Sequence, residues 1–322
     1  MKPEFVEFGG DMHIDAGRLF TGQHWGVPTT SASFAPPEGR LFRPLAGTSF
    51  AAPKIANLAA RLFREFPNAS SNLIRALMAS SAAVPISRPP SLTDLPHDAT
   101  EILCTYGYGQ PDFDRARWSA ENDAMLLAQE SIQLDDFALY TLPILPAEFF
   151  TTRGVGAITV SLAFDPPTRH TRLNSYLGVT METHLFRNRT VEQVAESVRA
   201  YTREEREAIA DRQGVELRKV QLPRRSKMEG SLPSSVEMSP GVNLRKKGTL
   251  QRSRCEISSS RWSYDGSPLV LAVICRREWA PETISTQRYA VVVSLTHASG
   301  SVHLHEHIRT QLRLTQRVRI QG

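Results

Sequence analysis

A hydroxyl held where a helix begins can attack a carbonyl, and the stretch Leu45 to Phe66, LAGTSFAAPKIANLAARLFREF, offers one. Gly47 permits a turn that a residue with a β-carbon resists, Thr48 and Ser49 follow, and Pro53 sits early enough that its missing N–H costs little. Ile55, Leu58, Ala59, Leu62, Phe63 and Phe66 then recur at the spacing of one helical face, which predicts a helix with Ser49 in its first turn. Unpaired N–H groups and the positive end of the helix dipole would favour an oxyanion beside Ser49 Oγ, the electrostatics of acyl transfer. Serine is also a common N-cap, and Gly-Thr-Ser before a helix reads first, on its own, as capping chemistry.

A serine becomes a nucleophile only when a histidine takes its proton and a carboxylate holds that histidine in the right tautomer. His13 and His24 precede Ser49, but their neighbours Gly9, Gly10, Trp25 and Pro28 read as a loop shaping a cleft, not as the seat of a general base. Lys54 lies five residues beyond the serine on another side of the helix, so a Ser/Lys dyad is no better supported.

The string Gly47-Thr48-Ser49-Phe50-Ala51-Ala52-Pro53 resembles the nucleophile segment of the subtilisin-like serine peptidases (subtilases), G-T-S-x-[AS]-x-P. Upstream, Lys2-Pro3-Glu4-Phe5-Val6-Glu7-Phe8-Gly9-Gly10 is similar to the family's K-P-[DE]-[IV]-V-A-P-G strand and turn, with Glu7 and Phe8 where the family has Ala-Pro. Downstream, Tyr106-Gly107-Tyr108-Gly109-Gln110-Pro111-Asp112 is similar to the G-x-G-x-[PV]-[ND] turn that closes the catalytic domain.

This resemblance implies that Ser49 is the catalytic nucleophile, that its own N–H is half of an oxyanion hole, and that Gly47, Thr48, Ala51 and Pro53 shape its segment. It implies no cofactor and no metal site among these residues, and a peptide or protein as substrate. It also implies an aspartate in a D-T/S-G turn, a histidine in an H-G-T-x-V helix start and an asparagine in an A-G-N turn. None of these motifs occurs in the sequence. The implied partner is therefore the N-terminal part of such a catalytic domain, and the 322 residues alone are expected to be inactive. The alternative is a non-catalytic remnant or pseudoprotease serving as a β-sandwich interaction module.

The expected architecture is an incomplete subtilisin-like, doubly wound α/β domain over 1–120, followed over 121–322 by a mostly-β sandwich, jelly-roll-like, with a helical insertion. Residues 3–8 read as a short strand and 11–44 as loop. Ser70 or Ser71 caps a second helix with Leu73, Ile74, Leu77 and Met78 on its buried side. Pro85, Pro89 and Pro90 enforce an extended stretch after it.

From about 120 the period becomes two. Ile158, Val160, Leu162 and Phe164 alternate with Thr159 and Ser161, and Tyr289, Val291, Val293 and Leu295 repeat the pattern. Leu269 to Cys275 is apolar on both faces, as a central strand is, and Leu312, Leu314, Val318 and Ile320 suggest a last strand. Thr190 with Gln193 and Thr202 with Glu205 have the spacing of two capping boxes, placing the helical insertion at about 190–213 and a basic loop at about 214–255. Residues 121–322 are expected to fold alone, whereas 1–120 alone would leave Ile55, Leu58, Leu62 and Phe63 partly uncovered.

A chain of 322 residues, 41% hydrophobic and 22% charged, has the composition of a globular protein of two domains. No apolar run approaches the length of a membrane helix, and the N-terminus has no signal-peptide pattern. Cys104, Cys255 and Cys275 are scattered, which argues against a disulfide framework and for a reducing compartment, the cytoplasm if the chain is translated as given.

Two further features carry open readings. Residues 212–261 hold twelve Lys or Arg against four Glu, with Arg224-Arg225, Lys227 and Arg245-Lys246-Lys247; without interleaved aromatics this reads as a solvated loop before a nucleic-acid surface. His303, His305 and His307 alternate, so on a strand they share a face, which is an exposed face before it is a metal site.

Overall fold

The stretch 11–44, expected as loop, folds into two short hairpins. Ala16 (φ 46°) and Gly17 (φ 77°) both take positive φ, the two-residue turn whose twist matches a hairpin, and they join β1 (His13–Asp15) to β2 (Arg18–Phe20). β3 (Val27–Thr30) pairs antiparallel with β4 (Phe42–Leu45), Pro28 opposite Pro44. Proline is tolerated in so short a ribbon because each strand keeps an edge that needs no N–H. A computed structural model gives these elements; it describes residues 3–20, 24–32, 39–86, 99–118, 123–151, 155–169, 171, 176–213, 236–257, 264–299, 302, 304 and 308.

Four helices follow: α1 (Thr48–Glu65), α2 (Ser71–Ser81), α3 (Ala99–Thr105) and α4 (Phe113–Arg117). Ser70 is the N-cap of α2, its hydroxyl accepting from the Leu73 N–H at 3.2 Å, and Asp112 caps α4 by accepting from the Arg115 N–H at 2.8 Å. Residues 3–8 join no sheet. Val6 donates to the Gly109 carbonyl at 3.1 Å and Tyr108 to the Glu4 carbonyl at 2.9 Å, and two bonds to a glycine turn do not make a ladder. The expected strand is therefore replaced by an extended segment. The strand pairings among the described residues are all antiparallel.

The remaining elements are β5 (Asp123–Gln133), β6 (Phe137–Thr141), α5 (Glu148–Thr151), β7 (Gly156–Phe164), β8 (Val179–Phe186), α6 (Val191–Gln213), α7 (Val242–Arg245), β9 (Leu250–Ile257), β10 (Val270–Arg277) and β11 (Thr286–His297). They build a three-stranded sheet, β6-β10-β8, and a four-stranded sheet, β5-β11-β7-β9. Ile158, Val160, Leu162 and Phe164 of β7 share one apolar cluster with Met181 and Leu185 of β8 and with Leu271 and Val273 of β10. The protein is thus a mixed helix-and-sheet chain.

β7 is buried along its whole length, Thr159 (2% exposed) and Ser161 (0%) included, although those two alternate as a solvent face would. The cause is α2, which lies across β11, β7 and β9. Ala163, Leu250, Ala290 and Val292 meet Leu73, Ile74, Leu77 and Met78 in a second cluster that also takes in Leu62 of α1. Small residues on that sheet face make room for a helix. This cluster crosses the division expected at residue 120, so residues 121–322 share a hydrophobic cluster with 1–120. Leu62 is fully buried, Ile55 and Leu58 are half-buried and Phe63 is exposed.

α6 is one helix, not two. Thr190 and Gln193 form a true capping box, with reciprocal bonds of 3.1 and 3.3 Å, but Thr202 sits mid-helix and its hydroxyl donates back to the Val198 carbonyl at 3.0 Å. The basic loop expected to reach 255 is also shorter, since α7 and β9 occupy its second half. Arg245 is buried there, its guanidinium donating to Thr183 Oγ1 at 2.8 Å, and burial lowers its pKa to about 10. Residues 214–235, the three alternating histidines and the strand expected at 312–320 lie outside the described residues. Cys104 is exposed, Cys255 and Cys275 are buried, and none of the three is in a disulfide among the described residues. Among the described residues no helix is long and apolar enough to cross a membrane.

Candidate functional site

β4 runs through Ala46 and Gly47 straight into α1, which makes Ser49 the second residue of an 18-residue helix and leaves it exposed. The Phe50 N–H bonds back to the Gly47 carbonyl at 3.0 Å. Among the described residues nothing accepts from the Thr48 or Ser49 N–H, and Ser49 Oγ has no hydrogen-bond partner. Pro53 is the sixth helical residue, so the bond it cannot donate is the one the Ser49 carbonyl would have accepted. The first turn of α1 therefore presents a free hydroxyl and free donors at the positive end of a helix dipole.

Gly47 does not supply the special turn expected of it. Its backbone is extended (φ 165°, ψ 155°), and a Cβ there would meet nothing nearer than the Phe50 ring at 3.9 Å. The necessary glycines are Gly9 and Gly10, which lie against the serine segment. The Gly9 carbonyl accepts from the Gly47 N–H at 2.8 Å, and a Cβ on Gly9 or Gly10 would come within 2.6 Å of the Gly47 or Leu45 carbonyl oxygen respectively. The Gly-Gly pair was visible in the sequence; its contact with the serine turn, 38 residues on in the case of Gly47, was not.

His13 and His24 are both exposed, and the His13 ring lies tilted against that of Trp25 with centroids 6.4 Å apart. Neither reaches Ser49 Oγ by a hydrogen bond. Lys54 turns to the Phe8 carbonyl, 2.8 Å from Nζ, and lies over the Phe8 ring at 5.2 Å. Thr48, Ala51 and Pro53 stay in α1 beside the serine, so among the described residues those singled out in sequence come together without a proton acceptor on Ser49 Oγ.

Residues 1–109 match the model of the subtilase family (peptidase S8). Over 322 residues the chain is 32% identical to an uncharacterized protein, y4bN, of Sinorhizobium fredii (strain NBRC 101917 / NGR234), covering 97% of this chain and 67% of that relative. The chain belongs to the subtilase family. In this subtilase the family match ends at the turn where Gly107 and Gly109 close onto Glu4 and Val6, and it contains Ser49 and both glycine pairs.

A second polar cluster lies away from that region. Glu182 and His184 of β8 and Arg276 of β10 are 2%, 4% and 9% exposed, with Arg276 Nη2 2.7 Å and His184 Nε2 3.6 Å from Glu182 Oε1. Burial works to raise the Glu182 carboxyl, but Arg276, aided by His184 and Lys246, outweighs it and holds the group down to about 2. Side chains so enclosed meet no solute, and the set acts as a structural ion network. Among the described residues no three His, Cys, Asp or Glu converge on a point where a metal could sit.

Proposed function

We propose that this subtilase chain carries the nucleophile of a serine endopeptidase at Ser49, and that the base, its carboxylate and the oxyanion asparagine come from polypeptide these residues do not encode. Ser49 would attack the scissile carbonyl of a peptide or protein, and its own N–H, unbonded at the second position of α1, would supply half of the oxyanion hole. The observation that carries this reading is the exposed hydroxyl and free N–H on a G-T-S-x-A-x-P helix start inside the family match. Residues 1–120 are read as the catalytic portion and 121–322 as a jelly-roll-like β-sandwich that follows it.

The second reading, a pseudoprotease remnant whose β portion is an interaction module, is favoured by one observation: no described histidine bonds to Ser49. A fluorophosphonate probe applied to the polypeptide as its source organism makes it separates the two. Labelling at Ser49, lost on Ser49→Ala, is the outcome expected of the peptidase. Full-length polypeptide that stays unlabelled, with no D-T/S-G or H-G-T coding upstream and in frame with Met1, is the outcome expected of the remnant.

A further inference from the structure

Lys54 makes no bond to Ser49; its ammonium donates to the Phe8 carbonyl at 2.8 Å. We propose instead that Lys54 is a positioning residue for Ser49, holding the Phe8–Gly10 segment against the start of α1; this rests on the reading of Ser49 as a nucleophile.

The serine turn is held from the N-terminal segment by few bonds. The Gly47 N–H to Gly9 carbonyl bond, 2.8 Å, is one, and Gly9 and Gly10 fit beneath Leu45–Gly47 only by lacking a β-carbon. The next carbonyl back along that segment, that of Phe8, is the one Lys54 grips, from a position five residues beyond Ser49 on the same helix. The segment is thus pinned at consecutive carbonyls, once to the cap residue of α1 and once to its second turn. A shift of Phe8–Gly10 would free the Gly47 N–H and let the first turn of α1 rotate its Ser49 N–H.

The contacts use the two positions where the segment departs from its family's pattern. Phe8 supplies the ring under the ammonium at 5.2 Å as well as the carbonyl. Glu7 accepts from the Phe8 N–H at 2.9 Å and from Gln110 Nε2 at 3.0 Å, tying the same segment to the closing turn. A proline in place of Phe8 would have offered neither the N–H nor the ring.

The test compares Lys54→Met, which keeps the aliphatic stem, with Lys54→Arg, which restores a donor. In the 322-residue chain, amide exchange of Gly47 should quicken about tenfold in Lys54→Met, return toward the original rate in Lys54→Arg, and leave buried α2 amides such as that of Leu77 unchanged. Exchange at Gly47 that stays constant, or that rises only together with Leu77, overturns the proposal. In the polypeptide that is labelled at Ser49, Lys54→Met should lower kcat with KM unchanged; a change in KM alone also overturns it. The exchange experiment needs no catalysis, so a clamp that fails and a Ser49 that never reacts are told apart.

Discussion

Residues 121–322 produced without 1–120 will aggregate or melt without a cooperative transition. The four-stranded sheet buries two faces, and α2 covers the second: Ala163, Leu250, Ala290 and Val292 pack on Leu73, Ile74, Leu77 and Met78. Removing α2 bares the apolar patch of Ala163, Leu250, Ala290 and Val292, an aggregation surface of the kind that soluble monomers avoid. Polar ties across residue 120 go as well. Tyr108 donates to the Leu250 carbonyl at 2.7 Å, Asn72 to Asp165 at 3.0 Å, Gln129 to the Asn68 carbonyl at 2.9 Å, and Arg75 bridges Glu4 and Thr249 at 3.0 Å each. Leu250 would lose an acceptor's partner inside a buried strand, which costs on the order of 1–3 kcal/mol for each such group. Size exclusion and thermal melting of the fragment check this. A monomer with a sharp melt would restore the independence that the sequence suggested.

Gly109→Ala will destabilise the whole chain by about 3 kcal/mol or more. Gly109 has φ +100°, and a Cβ on it would lie 2.2 Å from the Ala83 carbonyl carbon. Backbone lies on that side, and backbone cannot step aside as the tip of a side chain can. The neighbouring Gln110 exchanges bonds of 3.0 and 2.8 Å with Ala83, so the end of α2 must move or those bonds must break. The same turn holds Glu4 and Val6, and movement there passes along residues 4–9 to the serine segment. Gly241→Ala is the matched control: φ is −63° and a Cβ there meets nothing within 4 Å, so the change should cost no more than about 1 kcal/mol, the loss expected of alanine at an N-cap. Denaturant midpoints of the two variants give the comparison, and equal losses would contradict it.

The helix of the nucleophile was legible because its pattern is local: Ile55, Leu58, Leu62 and Phe66 stripe one face, and α1 spans Thr48–Glu65. The cap of α2 at Ser70 and the capping box at Thr190 were legible for the same reason, each being fixed within four residues. Strands β7 and β11 followed from apolar alternation and β10 from a run apolar on both faces, but which faces of β7 were covered did not. Thr159 and Ser161 look like a wet face and are buried, since only the tertiary placement of α2 decides that. Thr202 showed the converse error, a cap spacing inside a continuing helix, where back-bonding to Val198 satisfies the hydroxyl without ending the helix. At the site, Ser49 stood out through its motif, whereas Gly9, Gly10 and Lys54 act through contacts 35 to 46 residues away in sequence. Nothing in composition announces a contact at that separation. Arg245 was lost in a basic run for the same cause, since burial under β8 is invisible to a charge count.

In subtilisin, a relative of this chain, loss of the nucleophile or of the histidine lowers turnover on the order of 10⁶-fold, a value that belongs to that enzyme. An exposed serine without an imidazole should accordingly be inert toward an acylating probe. The direct measurement is the rate at which the 322-residue chain alone is labelled by a fluorophosphonate, read by mass spectrometry at Ser49 and set against Ser49→Ala. The expected result is no labelling above that of the alanine variant. Stoichiometric modification of Ser49 in the isolated chain would mean that a base lies within these residues, and would contradict the assignment of that base to polypeptide elsewhere.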